Sequence, residues 1–246
     1  MLKFITIITK FILVTLAALL VTSCNYSVNM NAVKGSGNVT TEIRKVDEDF
    51  NSIDVSNAID VIIEQADTYE VKVEADDNLH DKIKIEVENG VLVISSDDSS
   101  FMDVSAKKVF VKMPLIQDLH ASSSATIKSS KVLKSNAMDI GTSSAAEISV
   151  KIESDNVKCK SSSGSDIYLE GLALSLEATA SSGSEINAAD LPVNKVIAKA
   201  SSGATIKVQP ILSLKAKASS GSDITYVKTP KTIEKKESSG ANISKE

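Results

Sequence analysis

Four carboxylates, Glu147, Asp166, Glu185 and Asp223, each stand one residue before an isoleucine in a recurring Ser-Ser phrase. Theirs is the spacing in this chain that could do chemistry. If the phrases stack as neighbouring strands, the acids of consecutive repeats lie roughly 5 Å apart, near the carboxyl separation of a retaining glycosidase. Hydrolysis would further need one carboxyl of raised pKa in a concave, partly dry pocket. The short Ser, Gly and Thr neighbours supply no apolar walls, and no His or Arg falls in the same stretch. A solvated polar column outside a repeat has the same spacing. The four acids are therefore read as a surface ladder for a ligand or a cation, and no catalytic residue is assigned.

The remaining candidates are few. His80 and His120 lack a Cys, Asp or second His at metal-ligand spacing, so they are expected at the surface or at corners, with no metal and no cofactor. Cys159 falls where other repeats carry alanine and is expected to be a small buried hydrophobe. The many serines lack a Ser/His/Asp context and read as turn formers. Arg44 is the only arginine, and no Arg or Lys forks cluster along the sequence, so no pocket for phosphates or polyanions is expected. The formal charge of −5 argues against a nucleic-acid partner.

Cys24 carries a different chemistry. Lys3 and Lys10 precede and interrupt an apolar stretch that runs on through 11–21 into Val21-Thr22-Ser23-Cys24. This pattern reads as a signal peptide ending in a lipobox. Cleavage before Cys24 would leave its thiol and new amino group to carry acyl chains, and more than one chain is what stable anchoring requires. Loss of Lys3 and Lys10 would take the net charge to −7. With Cys24 lipidated, Cys159 has no disulfide partner.

The elements that must position these residues follow from a repeat. Ser-Ser-Ser-Ala-Thr-Ile at 122–127 recurs in variant form to Ser-Ser-Gly-Ala-Asn-Ile at 238–243. The closing isoleucines, from Ile127 to Ile243, are spaced by 21, 19, 19, 20, 18 and 19 residues, a solenoid period. Within each unit Leu176, Ala178 and Ala180 match Val196, Ala198 and Ala200, then Leu214, Ala216 and Ala218. A period of two means strand, and after the glycine the alternation resumes, so each unit is expected to be strand, turn, strand, turn. Handedness rules favour a right-handed parallel β-helix of about 19-residue coils. Gly164, Gly183, Gly203, Gly221 and Gly240 suit a turn needing positive φ. Ser124 and Ala145 hold that place in the first two units, which must bend differently or bear strain.

Residues 35–113 are expected to be less regular β structure that caps the solenoid, with strands over 52–64, 70–74, 82–88, 91–95 and 107–113. Asn89-Gly90 suits a type I′ hairpin, and Asp76-Asp77-Asn78-Leu79-His80-Asp81 suits a helical turn with an Asp cap. Lys235 and Glu237 replace inward alanines, so the last unit is expected to be a frayed, charged cap. The division is thus 1–23 signal peptide, 24–34 lipidated tether, 35–113 N-terminal β region and 114–246 repeat β-helix.

Phe50-Asn51-Ser52-Ile53-Asp54-Val55, Val71-Lys72-Val73-Glu74-Ala75-Asp76-Asp77-Asn78-Leu79, the Asn89-Gly90 hairpin and the Ser-Ser-Gly-Ser-Asp-Ile phrases resemble the putative auto-transporter adhesin, head GIN domain family over most of residues 49–230. The resemblance implies a β-helical fold and an adhesive role, and it brings no catalytic residues. The resulting expectation is a non-catalytic envelope protein, membrane-bound through its lipid anchor at the outer membrane, that binds a glycan or protein at the cell surface. A periplasm-facing structural or envelope-maintenance lipoprotein is the alternative, and a polysaccharide-degrading β-helix enzyme ranks below both. The few aromatic residues remove the usual sugar-stacking platform.

Overall fold

The computed structural model describes residues 10, 15, 32–46, 48–96 and 101–246. The signal peptide and Cys24 lie outside the described residues. The described residues of 34–98 and 103–246 form one large compact unit, and residues 10, 15, 32–33 and 101–102 belong to a second. Among the described residues no helix is long and apolar enough to cross a membrane.

The larger unit is a β-solenoid of about seven turns with coils of about 19 residues. Its long strands are β9 (Thr126–Thr142), β10 (Glu147–Ser161), β11 (Asp166–Ala180), β12 (Glu185–Ala200) and β13 (Thr205–Ala218). They pair in parallel, each with the next. Each strand is joined to the next by one tight Ser-Ser corner, completed by Gly from Gly164 onward and by Ser124 or Ala145 before it, and bends a second time within its own length. The first half of each strand makes one face and the second half makes the other. The expected second turn is therefore a bend within a continuous strand. At that bend Gly171 has φ 119° and a side chain there would run into the Ile152 carbonyl.

Side-chain alternation builds the core. One inward column runs from Val61 through Ile127, Ile148, Ile167 and Ile186 to Ile243, with every member at most 3% exposed. Burying each branched side chain contributes about 1.5–3 kcal/mol. The facing column narrows from Leu119 and Ile140 through Cys159 to Ala178, Ala198 and Ala216, which lets the two sheets converge near the corner.

The corner is a type I′-like turn in which both central residues are left-handed. Ser163 and Gly164 have φ 57° and 66°, and only the glycine adopts this without a steric cost. Ser124 and Ala145 both have φ 60°, so the first two units bend in the same way as the rest and bear the strain. Corners hydrogen-bond to one another, as where Ala145 N donates to Ser163 O at 3.2 Å and Gly164 N to Ser182 O at 3.1 Å.

The N-terminal region supplies further coils. The stretch 52–64 is two strands, β2 (Ser52–Val55) and β3 (Asp60–Gln65), separated by a corner in which Asn57 and Ala58 have φ 62° and 53°. After β4 (Glu70–Asp76) come β5 (Ile83–Glu88), β6 (Val91–Ser96), β7 (Lys107–Met113) and β8 (Asp118–Ala121). β2 lies between β6 and β8, and β3 between β7 and β9, all parallel. The coil that comes first in sequence is thus interior to the stack. Antiparallel strands close that end: β5 pairs β6 through the Asn89-Gly90 hairpin, β4 pairs β7, and β1 (Val39–Arg44) pairs β4.

At the other end β14 (Asp223–Tyr226), β15 (Thr232–Glu237) and β16 (Asn242–Lys245) complete the ladders. The last unit is charged but not frayed. Lys235 Nζ donates to Ile243 O at 2.8 Å and lies 4.8 Å above the Tyr226 ring, and Glu237 accepts the Ile243 N–H at 2.8 Å. Two charges at inward positions thereby satisfy backbone groups that a terminal coil leaves open.

Candidate functional site

The register brings the acidic column together. Glu147, Asp166 and Glu185 are direct partners on consecutive coils, Thr205 follows, and then come Asp223 and Asn242. On the N-terminal side Thr126 and Asp60 extend the same column. Each acid points outward because its neighbours, such as Ile148 and Ile167, point in. Glu147 is paired with Lys128 at 3.3 Å. Burial and the Glu147 charge push the Asp166 carboxyl above the usual carboxylate range, against a hydrogen bond from the Glu185 backbone. Tyr168, two residues on, has its phenol pushed up by burial and by Asp166, Glu185 and Glu147. The acids of three consecutive coils, Glu147, Asp166 and Glu185, therefore form one negative patch on the outward side, with Asp223 beyond Thr205.

That face does not coincide with the concave parts of the surface. Two grooves, of about 630 and 520 Å³, lie along the second bend and share Leu115, Ser135 and Asn136. The first is lined by Leu172, Leu174 and Pro192 and contains no member of the acidic column. Among the described residues no group of three or more His, Cys, Asp or Glu stands close enough to hold a metal ion.

The other candidates separate from one another. Cys159 is 1% exposed and its thiol is pushed up by burial and, secondarily, by Asp139, so it is a core residue and not a nucleophile. His120 is exposed, its ring lying over Gly141 where a side chain would otherwise stand. His80 is buried, at 3% exposure, which corrects the expectation of a surface or corner position. Its Nε2 is 2.9 Å from Thr40 Oγ1, and its carbonyl accepts a 2.8 Å hydrogen bond from Arg44. The closing sheet accounts for this, because β1 folds over the helical turn at 77–82.

Asp76 was also expected in a different role, as the side-chain cap of a helical turn. It precedes the short helix at 77–82 but makes no side-chain cap. Its carboxylate instead accepts N–H bonds from Gly37 at 2.6 Å, Ser105 at 2.8 Å and Ala106 at 3.1 Å. Burial opposes the charge, and the bonds from Ala106, Gly37 and Ser105 prevail, holding the carboxyl below its ordinary range. Asp76 fastens two loops to the end of the solenoid. No neighbouring residue in the sequence signals those distant donors.

Comparison with known proteins adds a fold and a family. No curated protein matches by sequence. A crystal structure of a putative adhesin from Bacteroides fragilis NCTC 9343 aligns with a TM-score of 0.80 at 19% identity, covering 87% of this chain and 100% of that one. A putative lipid binding protein from Parabacteroides distasonis ATCC 8503 aligns at 0.74 and 23% identity, covering 88% and 100%. A putative adhesin from Parabacteroides merdae ATCC 43184 aligns at 0.70 and 21%, covering 87% and 99%. At these identities the likeness concerns the fold. A family model matches residues 49–230, which spans the acidic column, nearly every coil and the closing strands other than β1. The chain belongs to the putative auto-transporter adhesin, head GIN domain family.

Proposed function

We propose that this chain is a non-catalytic, lipid-anchored envelope protein whose flat solenoid faces hold a surface glycan or protein through many weak contacts. The observation that carries this reading is the unbroken register from Asp60 to Asn242, which repeats an outward polar position once per coil. A ligand that repeats along the same axis gains by multivalency what no single contact supplies. The acidic column of Glu147, Asp166, Glu185 and Asp223 is one such ladder, open to a ligand or a cation. Its position on an open face, away from the grooves, supports binding over hydrolysis. Membership in an adhesin family fits a binding role. Lys3, Lys10 and the Val21-Thr22-Ser23-Cys24 lipobox support acylation of Cys24 and retention in the outer membrane.

The test is to apply the mature lipoprotein, in detergent micelles with and without Ca²⁺, to an array of surface glycans and proteins while assaying for released reducing ends. Binding without release is expected. Release that disappears in Asp166→Asn would establish an enzyme and overturn the reading, and silence in both assays would favour a structural envelope role.

A further inference from the structure

The second face of the solenoid, formed by the strand halves that lead into the Ser-Ser-Gly corner, carries a charge pattern that only the register reveals. Lys160, Thr179, Lys199, Lys217 and Lys236 occupy one outward column on five consecutive coils. Lys158, Glu177, Ile197, Lys215 and Glu234 occupy the next. The lysines of both columns are exposed. On the first face Lys128 is engaged with Glu147, Lys151 with Glu170 and Lys207 with Glu246. On the second face Lys199 pairs with Glu177 and Lys215 with Glu234. Among the described residues, Lys158, Lys160, Lys217 and Lys236 make no ion pair. The lysine column, with a mixed column beside it, and the acidic column therefore lie on different faces of a chain that is acidic overall.

We infer that the Lys160–Lys236 column binds a linear polyanion, an acidic polysaccharide bearing repeated sulfate or carboxylate groups, laid along the axis of the solenoid. This deepens the reading of the chain as a binding surface and rests on it. The coil spacing of about 4.8 Å sets the lysines along one line, two steps apart from Lys160 to Lys199 across Thr179 and one step apart from there to Lys217 and Lys236, which suits a chain of repeated anions better than a single one. Lysine offers point charges on flexible stems, so it accepts sulfate or carboxylate at varied angles. The cationic field is already felt within the face: Lys199, first by its hydrogen bond and then by its charge, holds the Glu177 carboxyl below its ordinary range, with Lys158 and Lys160 adding to it. Ile197, 41% exposed between Lys199 and Lys215, offers a sugar ring an apolar contact within the basic field. Binding of this kind is dominated by counterion release and weakens steeply with salt.

The experiment passes the mature lipoprotein in detergent micelles over immobilised heparin, with neutral dextran and phosphatidylglycerol vesicles as parallel surfaces. Wild type is expected to bind heparin and not dextran. The triple variant Lys160→Gln, Lys217→Gln, Lys236→Gln is expected to lose at least tenfold in affinity and about 2 in the log–log salt slope, by analogy with a flexible polyanion. The triple variant Lys128→Gln, Lys151→Gln, Lys207→Gln makes the same charge change on the other face and is expected to bind heparin within twofold of wild type. Thermal melts of both variants check that the fold is intact. Equal losses in the two variants would overturn the assignment of the face. Binding to phosphatidylglycerol vesicles that the Lys160→Gln, Lys217→Gln, Lys236→Gln variant loses, without binding to heparin, would replace the polysaccharide by a membrane surface and overturn the inference. Failure on heparin with retained binding to neutral glycans on the array would overturn it and leave the binding surface standing, whereas failure on every surface would overturn both.

Discussion

Asp166 stands directly between Glu147 and Glu185 on neighbouring coils, and of these two only Glu147 has a lysine partner within ion-pair distance. Its carboxyl is raised by burial and by the Glu147 charge, so the folded state binds its proton more tightly than the unfolded chain does. The stability linked to that proton is fully present below the ordinary carboxylate pKa and is lost as pH rises through the raised one. Asp166→Asn removes the repulsion at neutral pH and is expected to stabilise the protein there by about 0.2–1 kcal/mol. The gain should shrink as pH falls below the ordinary carboxylate range. Urea melts of the two proteins at pH 7 and pH 3.5 check this, and a stability loss at pH 7 would mean that Asp166 has a favourable partner. The sequence placed Glu147, Asp166, Glu185 and Cys159 correctly because each sits at a fixed offset from an isoleucine. His80 and Asp76 were not legible in that way. Their surroundings come from β1 and from the loops at 36–38 and 103–106, far away along the chain.

The corner is the element on which the solenoid depends, because both central residues are left-handed in each of the eight corners from Asn57-Ala58 to Ser239-Gly240 and each of these corners hydrogen-bonds the next. A non-glycine residue in that conformation costs roughly 1–2 kcal/mol, and glycine returns part of that through the entropy of the unfolded chain. Ala145→Gly is accordingly expected to stabilise by about 0.5–1 kcal/mol, whereas the same change at a right-handed position would destabilise. Thermal denaturation of the single variant measures it, and a lower melting temperature would contradict the strain at φ 60°. Seven of the corners were readable as Ser-Ser phrases. The corner at 56–59 was not, because Ser56-Asn57-Ala58-Ile59 lacks the glycine and the closing sheet separates its coil from the next by some sixty residues, as Val61 pairs with Ile127. Gly171 escaped notice for a related reason. It serves a bend whose partner is the Ile152 carbonyl on the preceding coil, and no repeat of the glycine marks it.

At the scale of the whole molecule, stacking turns a low-complexity sequence into two chemically distinct faces. Residues about 19 apart become neighbours, so acids that look scattered gather into one column and lysines into another. The lysine column went unseen along the sequence because its members stand about 19 or 38 residues apart and gather only when the coils stack. Closed by antiparallel strands at one end and by Lys235 and Glu237 at the other, the stack is protected against growth by edge pairing. What remains available is its sides, and an adhesive role requires those sides to meet a partner beyond the cell. The most direct measurement is the retention under flow of intact cells on a surface coated with the glycan that binds best on the array, comparing wild type with Cys24→Ala. Cells carrying the acylated wild-type chain should be retained, and Cys24→Ala cells should wash off like cells that lack the protein. Equal retention of all three would contradict an anchored, outward-facing adhesin.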